Sequence, residues 1–166
     1  MLSTRSLLLR SVQSRPSSDE CFTDSEQAGT CGVMGTASTM ACVVVALGLM
    51  PFDGASAAAV SSARLRIAER TGANAVTAAA AKRLPQSILT KESFLNAITV
   101  LQAIGGSTNA VVHLMAIVNR HPEVAGSITL ETFDEVGRKT PLLVDLKPTG
   151  DNYVCDKLSI SGQDPS

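Results

Sequence analysis

A single cysteine between glycines is the most distinctive chemical feature of the sequence. Cys31 lies in the stretch AGTCGVMGTASTM, and Gly29 and Gly32 allow backbone amides to approach its sulfur. A long apolar segment follows, which places the thiol at the predicted N-terminal end of a helix. A thiolate in the positive potential of unpaired N–H groups is a competent iron ligand or nucleophile. From the residues alone, Cys31 is equally well interpreted as a small apolar side chain in a glycine turn.

The other cysteines form no metal-binding pattern with Cys31. Their spacing matches no zinc motif, and no stretch with the pattern of a secretory signal favours disulfides. Cys42 falls in the apolar run ACVVVAL, so we interpret it as a core thiol. Cys21 precedes Cys31 in a polar stretch, and Cys155 begins the triplet Cys-Asp-Lys near the end of the chain.

Other polar residues have structural interpretations. His113 lies in an apolar helical stretch, which predicts a hydrogen-bonded core histidine, whereas His121 follows a predicted helix end and is expected in solvent. The GGSTN sequence at residues 105–109 leads into a helix and is either an anion site or a tight helix–helix connection. Three arginines could meet a carboxylate substrate, but they are by default a solvated face with Glu69; they are Arg64, Arg66 and Arg70.

Several motifs in succession resemble the dihydroxy-acid dehydratase and phosphogluconate dehydratase family, which also includes sugar-acid dehydratases. The AGTC stretch resembles the family's third iron–sulfur ligand motif, so the resemblance implies that Cys31 is a ligand of a 2Fe-2S or 4Fe-4S cluster. Mg²⁺ is the second cofactor that the resemblance implies. The likeness covers residues 28 to about 150 and is carried by residues 28–40, 47–76, 87–118 and 132–150.

The family removes water from a 2,3-dihydroxy acid or a sugar acid and yields a 2-keto acid. The resemblance therefore implies a small-molecule hydroxy acid as substrate, and a homodimer for full-length members. Gly35 stands where branched-chain enzymes often have an aromatic residue, which favours the sugar-acid or broad-specificity branch. A branched-chain role would fit a mitochondrial location, so both substrate classes stay open.

Only Cys31 carries over residue by residue, and the catalytic residues are not identified. The family's first cysteine motif and its C-terminal serine base have no counterpart here. The triplet at Cys155 lies downstream of Cys31, whereas the family's Cys-Asp-Lys motif lies upstream, so we interpret the match as coincidence. We expect a truncated family member that is inactive alone. The alternatives are a non-catalytic helical interaction module and a thiol-reactive protein that uses Cys31.

Composition limits the partners. The chain has 166 residues, of which 45% are hydrophobic and 17% charged, with a net charge of −1, which indicates one compact soluble domain. Near-neutral charge and 3% aromatic content predict no nucleic-acid partner. No apolar run approaches the roughly 20 residues that span a bilayer, so no membrane partner is expected.

Three regions are expected along the chain. Residues 1–20 form a disordered leader, residues 21–150 a partial dehydratase N-terminal domain, and residues 151–166 a divergent polar tail. The leader is rich in serine and arginine and has no acid before Asp19, as in a mitochondrial transit peptide. An untargeted N-terminus has a similar composition, and the protein would then be cytoplasmic.

The expected fold is a mainly α fragment of an α/β dehydratase N-terminal domain, with about five helices and one short strand near residues 142–146. The helix over 109–119 is apolar almost all round, which predicts a central position. Thr90 and Thr129 are predicted N-caps, and Gly48 and Gly105 predicted ends. The remaining predictions are caps at Thr36, Ser38 and Thr39, and separate helices over 55–71 and 74–84, divided by Gly72.

Overall fold

The computed structural model describes residues 31–57, 59 and 61–154. These residues are mainly helical, which confirms the predicted fold class. The predicted leader, and most of the predicted polar tail, lie outside the described residues. The described helices are α1 (Thr36–Ala46), α2 (Ser62–Ala80), α3 (Pro85–Ile88), α4 (Lys91–Ala103), α5 (Asn109–Val118) and α6 (Leu130–Lys139), with a 3₁₀ turn at Phe52–Ala55.

Helix α4 contributes most to the core. It packs against α1 and α6, and Phe94 and Ala97 are completely buried in it. The prediction that helix 109–119 is central was wrong, because α5 buries one face and leaves Val112 67% exposed. An apolar sequence permits burial on every side, but neighbouring elements decide which sides are covered. The core cluster comprises Val43, Leu47, Leu89, Phe94, Ala97, Ile98, Leu101, Ala110, Leu114, Val118, Val124, Ile128 and Phe133.

Local signals predicted several helix ends correctly. The Thr90 hydroxyl accepts a hydrogen bond from the Ser93 N–H at 3.3 Å, as an N-cap does. Thr129 forms a reciprocal capping box with Thr132 at the start of α6. Gly48 and Gly105, which follow α1 and α4, have φ angles of 80° and 57°. Glycine adopts this left-handed conformation without the steric cost that a Cβ would add.

The predicted division at Gly72 was wrong, because α2 runs without interruption through it. A glycine inside a helix costs about 1 kcal/mol relative to alanine, which is too little to end a helix that other contacts hold. The Arg64 guanidinium supplies such contacts by donating to the carbonyl oxygens of Gly54 and Ala57. Arg70 pairs with Asp53 rather than with Glu69. These two arginines therefore attach α2 to the preceding loop.

The predicted strand near residues 142–146 does not form a ladder within the described part of the chain. The Leu143 N–H donates to the Ala103 carbonyl oxygen at 2.8 Å, so the segment lies against the end of α4. Leu146 and Asn152 form an isolated parallel bridge. A β-branched and leucine-rich run without a partner strand stays extended.

None of the described helices combines the length and the apolar character needed to cross a membrane.

Candidate functional site

The side chain of Cys31 is exposed on the loop that precedes α1. Its Sγ lies 3.8 Å from the Val33 carbonyl oxygen. A Cβ added to Gly35 would lie 3.5 Å from that Sγ, which is an ordinary contact distance. The thiol is therefore near the start of α1, as predicted, and accessible to a solute.

The predicted caps at this helix start were wrong. The N-cap residue is Gly35, and no side chain caps it. The Thr39 hydroxyl instead accepts the Ser107 N–H at 3.0 Å, and the Ser38 hydroxyl donates to the Val33 carbonyl oxygen at 3.4 Å. The Thr39 hydroxyl thus makes a tertiary contact, and the Ser38 hydroxyl a local one, in place of the predicted caps.

A C-terminal segment holds the cysteine loop through backbone hydrogen bonds on both sides. The Met34 N–H donates to the Lys147 carbonyl oxygen at 2.8 Å, and the Val154 N–H donates to the Gly32 carbonyl oxygen at 2.9 Å. The Met34 side chain is 2% exposed and anchors the loop to the interior. The backbone next to Cys31 is consequently fixed although the thiol is exposed.

The C-terminal segment is itself ordered by one carboxylate. Asp145 Oδ1 accepts the Asp151 N–H at 3.2 Å, and Asp145 Oδ2 accepts the Asn152 side-chain amide at 3.0 Å. The same amide reaches the Asp145 carbonyl oxygen at 2.9 Å. Asp145 thus closes the turn that carries Lys147 and Val154 to the cysteine loop.

The GGSTN motif meets the start of α1. The Thr36 hydroxyl lies 3.1 Å from the Ser107 hydroxyl and accepts the Asn109 side-chain amide at 2.9 Å. A Cβ on Gly106 would lie 2.7 Å from Thr39 Cγ2, so glycine permits this close approach. The motif thus forms the tight connection from α4 to α5 and packs against the start of α1, and the anion site stays a prediction.

The described residues do not assemble a complete metal site. No group of three or more His, Cys, Asp or Glu side chains in this part of the chain could hold a metal ion. Cys42, in α1, is partly buried, and desolvation raises the pKa of its thiol, as suits the predicted core thiol. Cys21 and Cys155 lie outside the described residues. Cys31 could therefore be one ligand of a metal site, but the described residues do not supply a complete set of ligands.

The predictions for the two histidines were reversed. His113 is exposed on α5, whereas His121 is 5% exposed and hydrogen-bonded through both ring nitrogens. Two of these hydrogen bonds are local, from the Glu123 and Val124 N–H groups to Nδ1, and the third joins Nε2 to the Gln86 carbonyl oxygen.

The described residues form packed helices, with the exposed Cys31 thiol in front of the start of α1. The chain belongs to the dihydroxy-acid/6-phosphogluconate dehydratase N-terminal family, whose sequence profile matches residues 17–163. This match extends beyond residues 28–150, which carry the motif resemblance, at both ends. The family consists of hydro-lyase enzymes.

Curated relatives give the same assignment. The chain is 46% identical over 135 residues to a protein of Thermodesulfovibrio yellowstonii named dihydroxy-acid dehydratase. The aligned region covers 81% of this chain and 24% of that protein. The chain is 44% identical to proteins of the same name from Natronomonas pharaonis and Pyrococcus abyssi, again over 81% of this chain and over 22% and 24% of those proteins. The chain thus spans about a quarter of the length of these relatives.

Proposed function

We propose that this chain supplies one iron ligand, the Cys31 thiolate, to the cluster site of a dehydratase. The observation that carries the proposal is the exposed Cys31 side chain on a loop with fixed backbone, within a chain that matches the dehydratase family over residues 17–163. The accessible sulfur can reach an exogenous metal. The backbone hydrogen bonds at Gly32 and Met34 hold the cysteine loop in place and do not involve the sulfur.

The proposed substrate is a 2,3-dihydroxy acid. The relatives described above are all named dihydroxy-acid dehydratase, which favours this class over sugar acids. The proposed reaction removes water from the acid and forms a 2-keto acid after tautomerisation. An iron–sulfur cluster, when bound, supplies a Lewis-acid iron for the departing hydroxyl group, and Mg²⁺ neutralises charge on the substrate.

The contribution of this chain to that chemistry is positional. Gly32 and Met34 fix the loop, and Asp145 orders the turn that holds it. We derive no catalytic step from the described residues, because among them only Cys31 fits a ligand position. We therefore propose that the chain by itself does not catalyse dehydration.

Iron binding tests the role of Cys31 directly. The chain is reconstituted anaerobically with ferrous iron, sulfide and an excess of a small thiol, which supplies the ligands that the chain lacks. We expect a substoichiometric thiolate-to-iron absorbance that remains in Cys42→Ser and is lost in Cys31→Ser. Circular dichroism should show the same helical content for both variants.

The other outcomes separate the alternatives. Iron that stays bound in Cys31→Ser would refute the ligand role. Rapid alkylation of Cys31 with no iron binding would favour a thiol-reactive protein instead. A stoichiometric cluster without added thiol, together with 2-keto acid formation from a 2,3-dihydroxy acid, would refute the proposal that the chain is inactive alone.

A further inference from the structure

Helix α2 carries an exposed face that the proposed function does not use. Ile67 is the one buried residue of this helix, and its main contact with another described element is to the 3₁₀ turn at Phe52–Ala55. Arg64 and Arg70 attach only the first half of the helix to the preceding loop. In the part of the chain that the structure describes, the second half of α2 is therefore left without a covering element.

The exposed face of the second half is centred on Val76, whose side chain is 71% exposed. Gly72 and Ala80 lie four residues before and after Val76, and Ala73 and Ala79 lie three residues before and after it; all four are exposed. Residues three and four apart are neighbours on a helix surface, so these five residues form one face. Small side chains at a helix contact allow the two axes to come close. The face is thus nearly the same in both directions from Val76.

Two opposite charges are placed at equal distances from the same residue. Glu69, the one acidic residue of α2, lies seven residues before Val76, and Arg83 lies seven residues after it. Arg83 directly follows the helix end, where its N–H donates to the Ala78 carbonyl oxygen at 2.9 Å. Both charged side chains are exposed, and neither forms a salt bridge with another of the described residues. The helix therefore presents an acid and a base that are complementary to each other but too far apart to pair within one chain.

We propose that α2 pairs antiparallel with α2 of a second copy of this chain, about a two-fold axis beside Val76. A two-fold interface sets each residue opposite the one that lies equally far beyond the axis. Glu69 of each copy then faces Arg83 of the other, so the salt bridge forms twice. Gly72 of each copy faces Ala80 of the other, which permits close approach of the helices.

The charges specify both the second copy and its direction. A parallel pair would place Lys82 and Arg83 of the two copies side by side and would align the two helix dipoles, whereas an antiparallel pair opposes them. The antiparallel arrangement also brings Leu84, which is 60% exposed, next to Ala68 of the other copy. One pair of helices covers less surface than the roughly 1,600 Å² of a standard stable interface, so we expect a weak dimer.

Charge exchange tests the pairing in the intact chain. Sedimentation velocity between about 1 μM and about 1 mM measures dimer formation over the affinities of weak complexes. Glu69→Arg and Arg83→Glu each put like charges opposite each other twice, so we expect each variant to raise the dimer dissociation constant at least about tenfold. An equimolar mixture of the two variants restores both opposite-charge pairs and should dimerise within about threefold of the wild type. Glu135→Arg, at an exposed acid on α6, is the matched charge control and should dimerise like the wild type.

Disulfide trapping tests the position of the axis. A residue beside a two-fold axis meets its own counterpart, so Val76→Cys should form a disulfide between the two copies of residue 76 on mild oxidation. Peptide mass spectrometry separates this product from disulfides of the native cysteines. Asn74→Cys, on the opposite side of α2, should form no such product. Circular dichroism should show the same helical content for all variants.

Three results would overturn the proposal. The first is a wild-type chain that stays monomeric over the whole concentration range, which would leave the face to a partner of another kind. The second is a pair of charge variants that dimerise as well as the wild type, or a mixture that dimerises no better than its components. The third is equal disulfide formation at residues 74 and 76.

Discussion

Two cysteines in or next to α1 carry the same functional group in different surroundings. Cys31 is exposed on the loop, and Cys42 is partly buried in the helix. Desolvation raises the pKa of the Cys42 thiol, so a smaller fraction of it is thiolate at a given pH. Since the thiolate is the nucleophile, exposure and ionisation both disfavour reaction at Cys42.

We expect iodoacetamide to alkylate Cys31 at least about tenfold faster than Cys42 near neutral pH. Peptide mass spectrometry separates the two sites in the wild-type chain, and Cys31→Ser should lose only the fast one. The rate at Cys42 should continue to rise above the pH at which an ordinary thiol is fully ionised, because its pKa is raised. Equal rates at the two sites would contradict the assigned exposure.

Single residues were predictable where their environment is local. Thr90 and Thr129 cap helices through groups three residues away, and their roles were predicted correctly. His121 was predicted wrongly because the Gln86 carbonyl oxygen is 35 residues distant in sequence. The role of Cys31 as a ligand stays a prediction, since it depends on groups that the described residues do not contain.

At the scale of elements, close approach of α1 to the α4–α5 connection depends on Gly106. A Cβ there would lie 2.7 Å from both Thr39 Cγ2 and Leu101 Cδ1. The Thr39 hydroxyl also accepts the Ser107 N–H, so displacement of Thr39 would weaken a hydrogen bond between the two elements. The backbone contact and the polar contact therefore rely on the same glycine.

We expect Gly106→Ala to lower the free energy of unfolding by about 1–3 kcal/mol, which is typical of overpacking. Gly72→Ala is the matched control, because a Cβ at Gly72 would meet nothing within 4 Å. Inside α2, that alanine should raise the free energy of unfolding by about 0.5–1 kcal/mol. Urea denaturation measures both changes, and destabilisation of similar size in the two variants would refute the packing argument.

Helix α4 gives a second test of the element packing. Phe94 is completely buried, whereas Phe52, in the 3₁₀ turn, is 94% exposed. We expect Phe94→Ala to cost about 3–5 kcal/mol, through lost transfer free energy and a cavity, and Phe52→Ala to cost almost nothing. Thermal unfolding followed by circular dichroism compares the same substitution at both sites. A small loss for Phe94→Ala would show that α4 is not the centre of the core.

Helices could be predicted where the hydrophobic periodicity agrees with the signals for helix ends. Strand pairing and helix burial could not be predicted, because they depend on which elements lie next to each other. The segment at 142–146 has strand-like composition, but its Leu143 N–H bonds to Ala103 at the end of a helix. Helix α5 has the composition of a central helix, but its face at Val112 is left uncovered. In both cases the missing information is the position of a distant element.

At the scale of the whole molecule, many large apolar side chains are exposed. Leu65 and Val76, on α2, are 72% and 71% exposed, and they lie eleven residues apart, which is about three helical turns. They therefore share one face of α2, on the side of the helix opposite the buried Ile67. Leu142 and Leu143 are 64% and 72% exposed beside each other in the extended segment.

Exposed apolar area of this kind predicts dye binding and self-association by the chain. We expect fluorescence of a hydrophobic dye to exceed that of a compact control protein, and light scattering to show an average mass that rises with concentration. The double variant Leu65→Lys/Val76→Glu removes the α2 face without touching the core, so it should lower both signals while leaving the helical spectrum unchanged. The single variant Leu49→Ala, at a side chain that is only 41% exposed, should change both signals little. A concentration-independent monomer without dye fluorescence would contradict the prediction, because it would mean that these side chains are covered in solution.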